Sequence, residues 1–148
     1  MDKSFNYLIS PEITKLREFS PKLKIAILAS GEGSNFQELI NLSKSNRFDI
    51  DIKILITNKS AAGCISRAQN SNISYKVIKG SDYENKDYFE DEIINTIKKH
   101  DIELVVMAGW MKIMSSKFVN AFKSKIINIH PSLPVSYTHL TLPTILLV

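Results

Sequence analysis

Residues 23–40 read "LKIAILASGEGSNFQELI", and this stretch decides the fold of the chain. Its first part, residues 23–30, is a continuous apolar run of strand length, which is typical of a strand buried on both faces. A turn containing two glycines follows, and a helical pattern begins at Phe36. A buried strand that turns through glycines into a helix indicates a parallel α/β sheet.

The same alternation continues towards the C-terminus. Strands are predicted at residues 23–30, 50–58, 74–78, 103–109 and 125–130. Helices are predicted at residues 36–45, 61–70 and 87–100 and in the later part of 110–123. Short alternation of strand and helix implies right-handed crossovers. We therefore predict a Rossmann-like α/β fold, a mostly parallel sheet with helices on both faces.

Two helices carry finer predictions. Ser34 and Gln37 fit a capping box at the start of the first helix. In the third helix the apolar spacing predicts one buried face, made of Phe89, Ile93, Ile94 and Ile97.

Length and composition limit the class of protein. A chain of 148 residues is expected to form one domain. Its hydrophobic content of 44% and charged content of 23% are ordinary for a globular protein. The net charge of +4 comes from scattered lysines, which favours a small anionic ligand over nucleic acid. Cys64 is the single cysteine, so an intrachain disulfide is excluded and a zinc cluster is not indicated.

The two ends of the chain depart from this pattern. Residues 1–22 are expected to be an N-terminal extension without a signal peptide, and residues 23–134 to be the folded domain. The apolar run that closes the chain is too short for a membrane helix. We therefore expect a cytosolic protein.

The segment "SGEGSN", residues 30–35, lies where the first strand meets the first helix. Its glycines permit a tight turn with open backbone amides, and a helix N-terminus adds about half a positive elementary charge. Neither the dinucleotide fingerprint nor the P-loop fits, because Phe36 replaces the third glycine and the P-loop lysine is absent. A single phosphate is the better match, and a structural turn is the alternative.

The segment "NIHPS", residues 128–132, ends the fifth strand. Asn128 and His130 are two residues apart on an extended segment, so their side chains point to the same side. An amide and a protonated imidazole could together hold an oxyanion, and His130 could also transfer a proton. A histidine hydrogen-bonded at a strand end, without a catalytic role, is the alternative.

Two further segments supply candidate binding residues. Met111 to Met114, "MKIM", could form an adaptable wall against a flat ligand, although simple packing against the next helix is the alternative. Lys86 could bind a carboxylate or be solvated surface. Cys64 is expected to pack in its helix. In a parallel sheet a ligand binds beyond the carboxyl ends of the strands, so these segments should line one cleft.

Four separated stretches resemble the glycinamide ribonucleotide formyltransferase family. They are "KIAILASGEGSNFQELI", "ITNKSAAG", "VVMAGWMKIMS" and "IINIHPSLP", and the resemblance covers about residues 23–134. It implies the formyltransferase fold. It also implies formyl transfer from the co-substrate 10-formyltetrahydrofolate to the amine of glycinamide ribonucleotide, without a metal.

The resemblance also implies the site residues. Those matching the family's phosphate site are Gly33, Ser34 and Asn35. Those matching its folate site are Lys86, Met111, Lys112, Ile113, Met114 and Asn128. Those matching its catalytic pair are Asn128 and His130. At the position of Lys86 the family usually has arginine, so the charge remains and the planar fork is lost.

After Pro134 the chain reads "VSYTHLTLPTILLV", which departs from the family pattern and contains neither Asp nor Glu. The family carries an aspartate there that pairs with the catalytic histidine. We therefore expect residues 135–148 to be a tail foreign to the family, the fold to be incomplete at its C-terminus, and the chain to turn over little substrate. A formyltetrahydrofolate hydrolase, a methionyl-tRNA formyltransferase and a non-catalytic phosphate- or nucleotide-binding half-domain remain as alternatives.

Overall fold

The computed structural model describes residues 22–45 and 48–129. Strands and α-helices alternate in these residues: β1 Leu23–Leu28, α1 Ser34–Lys44, β2 Ile50–Thr57, α2 Cys64–Asn70, β3 Ser74–Val77, α3 Lys86–Lys98, β4 Leu104–Ala108, α4 Ser116–Ala121 and β5 Ile126–Ile129. A short 3₁₀ turn, Gly80–Asp82, precedes α3. The strands form one parallel sheet in the order β3-β2-β1-β4-β5, so the predicted α/β fold is confirmed.

Strand β1 lies at the centre of the sheet. It pairs with β2 on one side and with β4 on the other, so its backbone is hydrogen-bonded along both edges. Ala26, Ile27 and Leu28 have no exposed surface. This double coverage explains why the strand is a continuous apolar run instead of an alternating one.

The sheet separates two apolar clusters, one on each face. Alternate residues of β1 point to opposite faces, so Ile27 contributes to one cluster and Leu28 to the other. The first cluster includes Phe36 of α1 and Ala68 of α2, and the second includes Ile93 of α3 and Phe118 of α4. The prediction of helices on both faces is confirmed, and the predicted apolar face of α3 is buried as expected.

The predicted capping box of α1 is wrong. Gly33, not Ser34, is the N-cap residue, and no side chain caps this end. The Gln37 amide points elsewhere, since it donates to Asn41 Oδ1 at 3.1 Å and its oxygen accepts from Arg67 at 3.2 Å. A glycine in the left-handed conformation makes the turn, so Ser34 enters the helix instead of preceding it.

The order of the strands reverses next to β1. The chain moves outward from β1 through β2 to β3, and then returns to place β4 and β5 on the other side. In open α/β sheets, ligands bind in the crevice at this reversal, outside the carboxyl ends of the strands. The crevice here lies between the ends of β1 and β4. We call this side of the sheet the carboxyl edge.

The two predicted ends of the chain fall outside the described residues. These are the N-terminal extension, except for Lys22, and the tail at residues 135–148. The predicted catalytic residue His130 falls outside them as well. Within the described residues, every helix is too short or too polar to cross a bilayer.

Removing one methylene from the core should lower the free energy of unfolding by a measurable amount. Ile93 lies in the α3 face of the second cluster with no exposed surface. Replacing it in Ile93→Val should lower the free energy of unfolding by about 0.5–1.5 kcal/mol, because a small cavity replaces the lost contacts. Chemical denaturation measures this, with Lys98→Arg on the exposed side of the same helix as a control expected within about 0.5 kcal/mol. Equal stability of the two variants would contradict the packing described for α3.

Candidate active site

Two loops meet at the carboxyl edge, where β1 and β4 end. We call residues 30–35 the glycine loop and residues 109–115 the methionine loop. The Ser30 N–H donates to the Gly109 carbonyl at 3.1 Å, and the Met111 N–H donates to Ser30 Oγ at 3.0 Å. Ser30 is 1% exposed, so these bonds lie inside the protein. The predicted proximity of the two segments is therefore observed.

The glycine loop presents the start of α1 towards the carboxyl edge. Gly33 has a φ of 73°, and the first helical hydrogen bond runs from the Gln37 N–H to the Gly33 carbonyl at 2.9 Å. The amides of Ser34 and Asn35 precede that bond, so they have no partner within the helix. Exposed Ser34 and half-buried Asn35 add side-chain donors. This geometry suits an anion.

Helix α2 holds the glycine loop in place. The Cys64 N–H donates to the Gly31 carbonyl at 3.1 Å, and Arg67 Nε donates to the Glu32 carbonyl at 2.6 Å. Arg67 also reaches Gln37, so it joins the loop to α1. The sequence analysis missed Arg67, because its partners are 30 and 35 residues away and no local pattern indicates them.

Cys64 packs against the loop as a small apolar residue. A Cβ added to Gly33 would lie 2.6 Å from Cys64 Cβ, which shows how closely the two segments approach. Burial raises the pKa of the Cys64 thiol, and the hydrogen bond with Thr57 lowers it by less. A raised pKa disfavours the reactive thiolate. The expected packing role of Cys64 is observed.

The methionine loop exposes apolar side chains at the carboxyl edge. Met111 is 64% exposed and Ile113 is 87% exposed. Met114 is half-buried, and its sulfur accepts from Trp110 Nε1 at 3.2 Å. Lys112 reaches back towards α3, with Nζ 5.5 Å from the centre of the Phe89 ring. The loop therefore presents two large apolar side chains to solvent, and its role as an adaptable wall against a ligand stays a prediction.

Lys86 is the first residue of α3 and is connected to the methionine loop. Its Nζ lies 3.7 Å from Oε1 of Glu90, a residue without exposed surface. The same Glu90 oxygen accepts the Ser115 N–H at 2.8 Å. Glu90 thus joins Lys86 to the end of the loop. Glu90 could not be identified from the sequence as a site residue, because its position on the apolar face of α3 does not show which group it contacts.

Asn128 lies on β5, directly beside Met107 of β4. Paired residues of parallel strands face the same side, so Asn128 lies on the face that carries α3 and α4. The glycine loop leads instead into α1 on the other face. His130 lies outside the described residues. The candidate site therefore has two parts at the carboxyl edge, each continuing into the helices of a different face of the sheet, and the two parts are joined at Ser30.

Among residues 22–45 and 48–129, no group of His, Cys, Asp and Glu side chains could hold a metal ion. A shallow cavity of about 430 Å³ lies at the opposite edge of the sheet, lined by residues such as Lys44, Asp51 and Asn72. It touches none of the predicted site residues.

Known proteins of related sequence include several phosphoribosylglycinamide formyltransferases. Residues 23–141 match the family model described as "Formyl transferase", which extends past the predicted domain boundary at residue 134. The phosphoribosylglycinamide formyltransferase of Bacillus subtilis is 38% identical over 74% of this chain and 56% of its own length. That of Escherichia coli is 32% identical over 78% of this chain and 54% of its own. The chain thus spans about half the length of these relatives.

Solved structures agree on the fold. The glycinamide ribonucleotide transformylase 1 of Geobacillus kaustophilus superposes with a TM-score of 0.74 at 31% identity, covering 81% of this chain and 64% of that one. A formyltetrahydrofolate deformylase from Pseudomonas putida reaches 0.68 at 22% identity, over 76% and 39% of the two chains, which bears on the fold alone.

The two glycines of the glycine loop should differ in how much stability is lost when each is replaced by alanine. Gly33→Ala should lower the free energy of unfolding by at least about 2 kcal/mol, because it combines a left-handed φ with a clash against Cys64. Gly31→Ala is the matched control, since a Cβ there meets nothing within 4 Å, and it should change stability by less than about 0.5 kcal/mol. Urea unfolding of both variants compares them. Equal losses would show that the loop has a different backbone path.

Proposed function

This chain belongs to the formyl transferase family, and from that premise we propose that it transfers a formyl group from 10-formyltetrahydrofolate to the amine of glycinamide ribonucleotide. The observation that carries the proposal is the pair of hydrogen bonds at Ser30, which join the loop at the start of α1, a geometry suited to an anion, to a loop with exposed apolar side chains. A transfer between two small molecules needs both bound side by side. Relatives named for this reaction support the choice of substrates.

The substrate phosphate would bind at the glycine loop. Gly33, Ser34 and Asn35 would supply backbone and side-chain donors, and the start of α1 adds favourable charge. Arg67 keeps the loop in its position from behind. Since α2 already fixes the backbone, little conformational entropy is lost when the phosphate binds.

The folate would bind at the carboxyl edge, against the methionine loop. Met111, Ile113 and Met114 would contact its flat ring, and the Lys112 backbone would be available to its hydrogen-bonding edge. Lys86 would meet a carboxylate of the folate as a single cation, without the fork of an arginine. The exposure of Met111 and Ile113 supports this assignment, since large apolar side chains in contact with water commonly mark binding surfaces.

The chemistry would take place at the end of β5. The substrate amine attacks the formyl carbon, and negative charge grows on the formyl oxygen. Asn128 and protonated His130 would stabilise that charge. The proton lost by the attacking nitrogen passes to the departing folate nitrogen through water or His130. The proposal also includes the cytosolic location expected from the sequence.

Binding of the ribonucleotide separates this proposal from related chemistries. Glycinamide ribonucleotide should bind to the chain, and Asn35→Ala should weaken the affinity by about tenfold or more, because a hydrogen bond to a charged group is lost. Isothermal titration calorimetry measures both. Asn41→Ala on the exposed part of α1 is the matched control and should bind like the wild type. Absence of binding by the wild type would favour a hydrolase or a tRNA-directed relative.

Formyl transfer is the second test. Asn128→Ala should reduce kcat by about 10²–10³-fold, the usual cost of removing one oxyanion donor. Asn120→Ala, an exposed asparagine of α4, is the control and should leave kcat unchanged. The rate is measured in the 148-residue chain and again with the unmatched C-terminal part of the Bacillus subtilis relative fused after Pro134.

We expect transfer by the fused chain and little by the 148-residue chain. Ribonucleotide binding without transfer in either protein would favour a non-catalytic binding module. Unchanged transfer in Asn128→Ala would remove that residue from the mechanism.

A further inference from the structure

We propose that Glu90 is a positioning residue that holds the methionine loop and Lys86 in one arrangement and thereby determines the affinity for folate. This inference rests on the proposed function, because it assigns the loop and Lys86 to the folate. The Glu90 carboxylate cannot contact a ligand itself, since its side chain has no exposed surface. It would act only through the groups that it holds.

Both oxygens of Glu90 are engaged. Oε1 accepts the Ser115 N–H at 2.8 Å and lies 3.7 Å from Lys86 Nζ. Oε2 accepts the Ser115 hydroxyl. A buried carboxylate is costly unless its oxygens are satisfied. Removing Ser115 or Lys86 would leave part of the desolvation cost of the carboxylate uncompensated. The positions of these two groups around Glu90 are therefore narrowly defined.

Packing holds the methionine loop only at Trp110, which is buried in the second cluster, and at Met114, which packs against that cluster. The side chains of Met111 and Ile113 are mostly exposed, so burial contributes little to their position. Hydrogen bonds hold the two ends of this exposed segment. Met111 is bound to Ser30 at one end, and Ser115 is bound to Glu90 at the other. Loss of the second anchor would release the segment that faces the folate and leave the glycine loop in place.

A second polar contact of α3, the ion pair between Asp91 and Lys117, provides the comparison. Asp91 follows Glu90 in α3 and pairs with Lys117 of α4 at 2.5 Å, with both side chains more than 40% exposed. This pair also bridges α3 and α4, but it touches neither the methionine loop nor Lys86. If Glu90 only joined two helices, breaking either contact would have the same kind of effect.

The test compares three variants with the wild type. Glu90→Gln keeps the shape of the side chain and removes its charge, Ser115→Ala removes the hydroxyl, and Asp91→Asn is the matched control. Calorimetry measures the affinities for tetrahydrofolate and for glycinamide ribonucleotide. Amide hydrogen exchange measures the protection of residues 111–115.

Glu90→Gln should weaken tetrahydrofolate binding about tenfold and accelerate exchange at Ser115 about tenfold, because charge-assisted hydrogen bonds are about twice as strong as neutral ones. Ribonucleotide affinity should stay within about twofold, since the glycine loop is held by α2. Ser115→Ala should show a smaller change in the same direction. Asp91→Asn should match the wild type in every measurement.

Three results would overturn the proposal. They are unchanged folate affinity and exchange in Glu90→Gln, an equal loss of both ligands, and an equal effect of Asp91→Asn. If Glu90→Gln does not fold, Ser115→Ala decides by the same criteria. If the wild type binds no tetrahydrofolate, the proposed function fails, and exchange at residues 111–115 alone decides whether Glu90 positions the loop.

Discussion

The rest of the structure depends on the burial of β1 over residues 25–28. The backbone of the strand is paired along both edges and these four side chains are covered on both faces, so a polar side chain that meets a ligand lies beyond the end of the strand. Ser30 is the first polar side chain after this strand, and it is almost completely buried. Because Ser30 has no access to water, it must find protein partners, and it finds them in the methionine loop.

The sheet then separates the helices that hold the two loops of the candidate site. Helices α1 and α2 cover one face and carry the glycine loop, while α3 and α4 cover the other and carry Lys86 and the methionine loop. Each loop is attached to the face on which its own helices pack. The two loops meet at the carboxyl edge through the hydrogen bonds of Ser30.

Much of the fold could be predicted from the sequence, because buried parallel strands are continuous apolar runs and helices show their buried face. Residues 50–58 and the apolar face of α3 are examples. The start of α1 could not, since a left-handed glycine and a capping serine fit the same letters. The placement of Asn128 beside Met107 depends on the order of the strands, which was not predicted, and His130 lies outside the described residues.

The contacts that sequence reasoning missed share one physical property. Arg67 and Glu90 both use a charged side chain on a helix to bind the backbone of a loop that is 25 to 35 residues away in the chain. An apolar side chain could cover such a loop but could not fix the direction of its N–H and C=O groups. A charged group with two or more hydrogen bonds does fix them, and for the fully buried Glu90 this carries a desolvation cost. A charged residue on an otherwise apolar helix face, such as Glu90 in α3, therefore indicates that the helix fixes the conformation of a neighbouring loop. Recognising it needs the tertiary structure, because only the structure shows which loop the charge reaches.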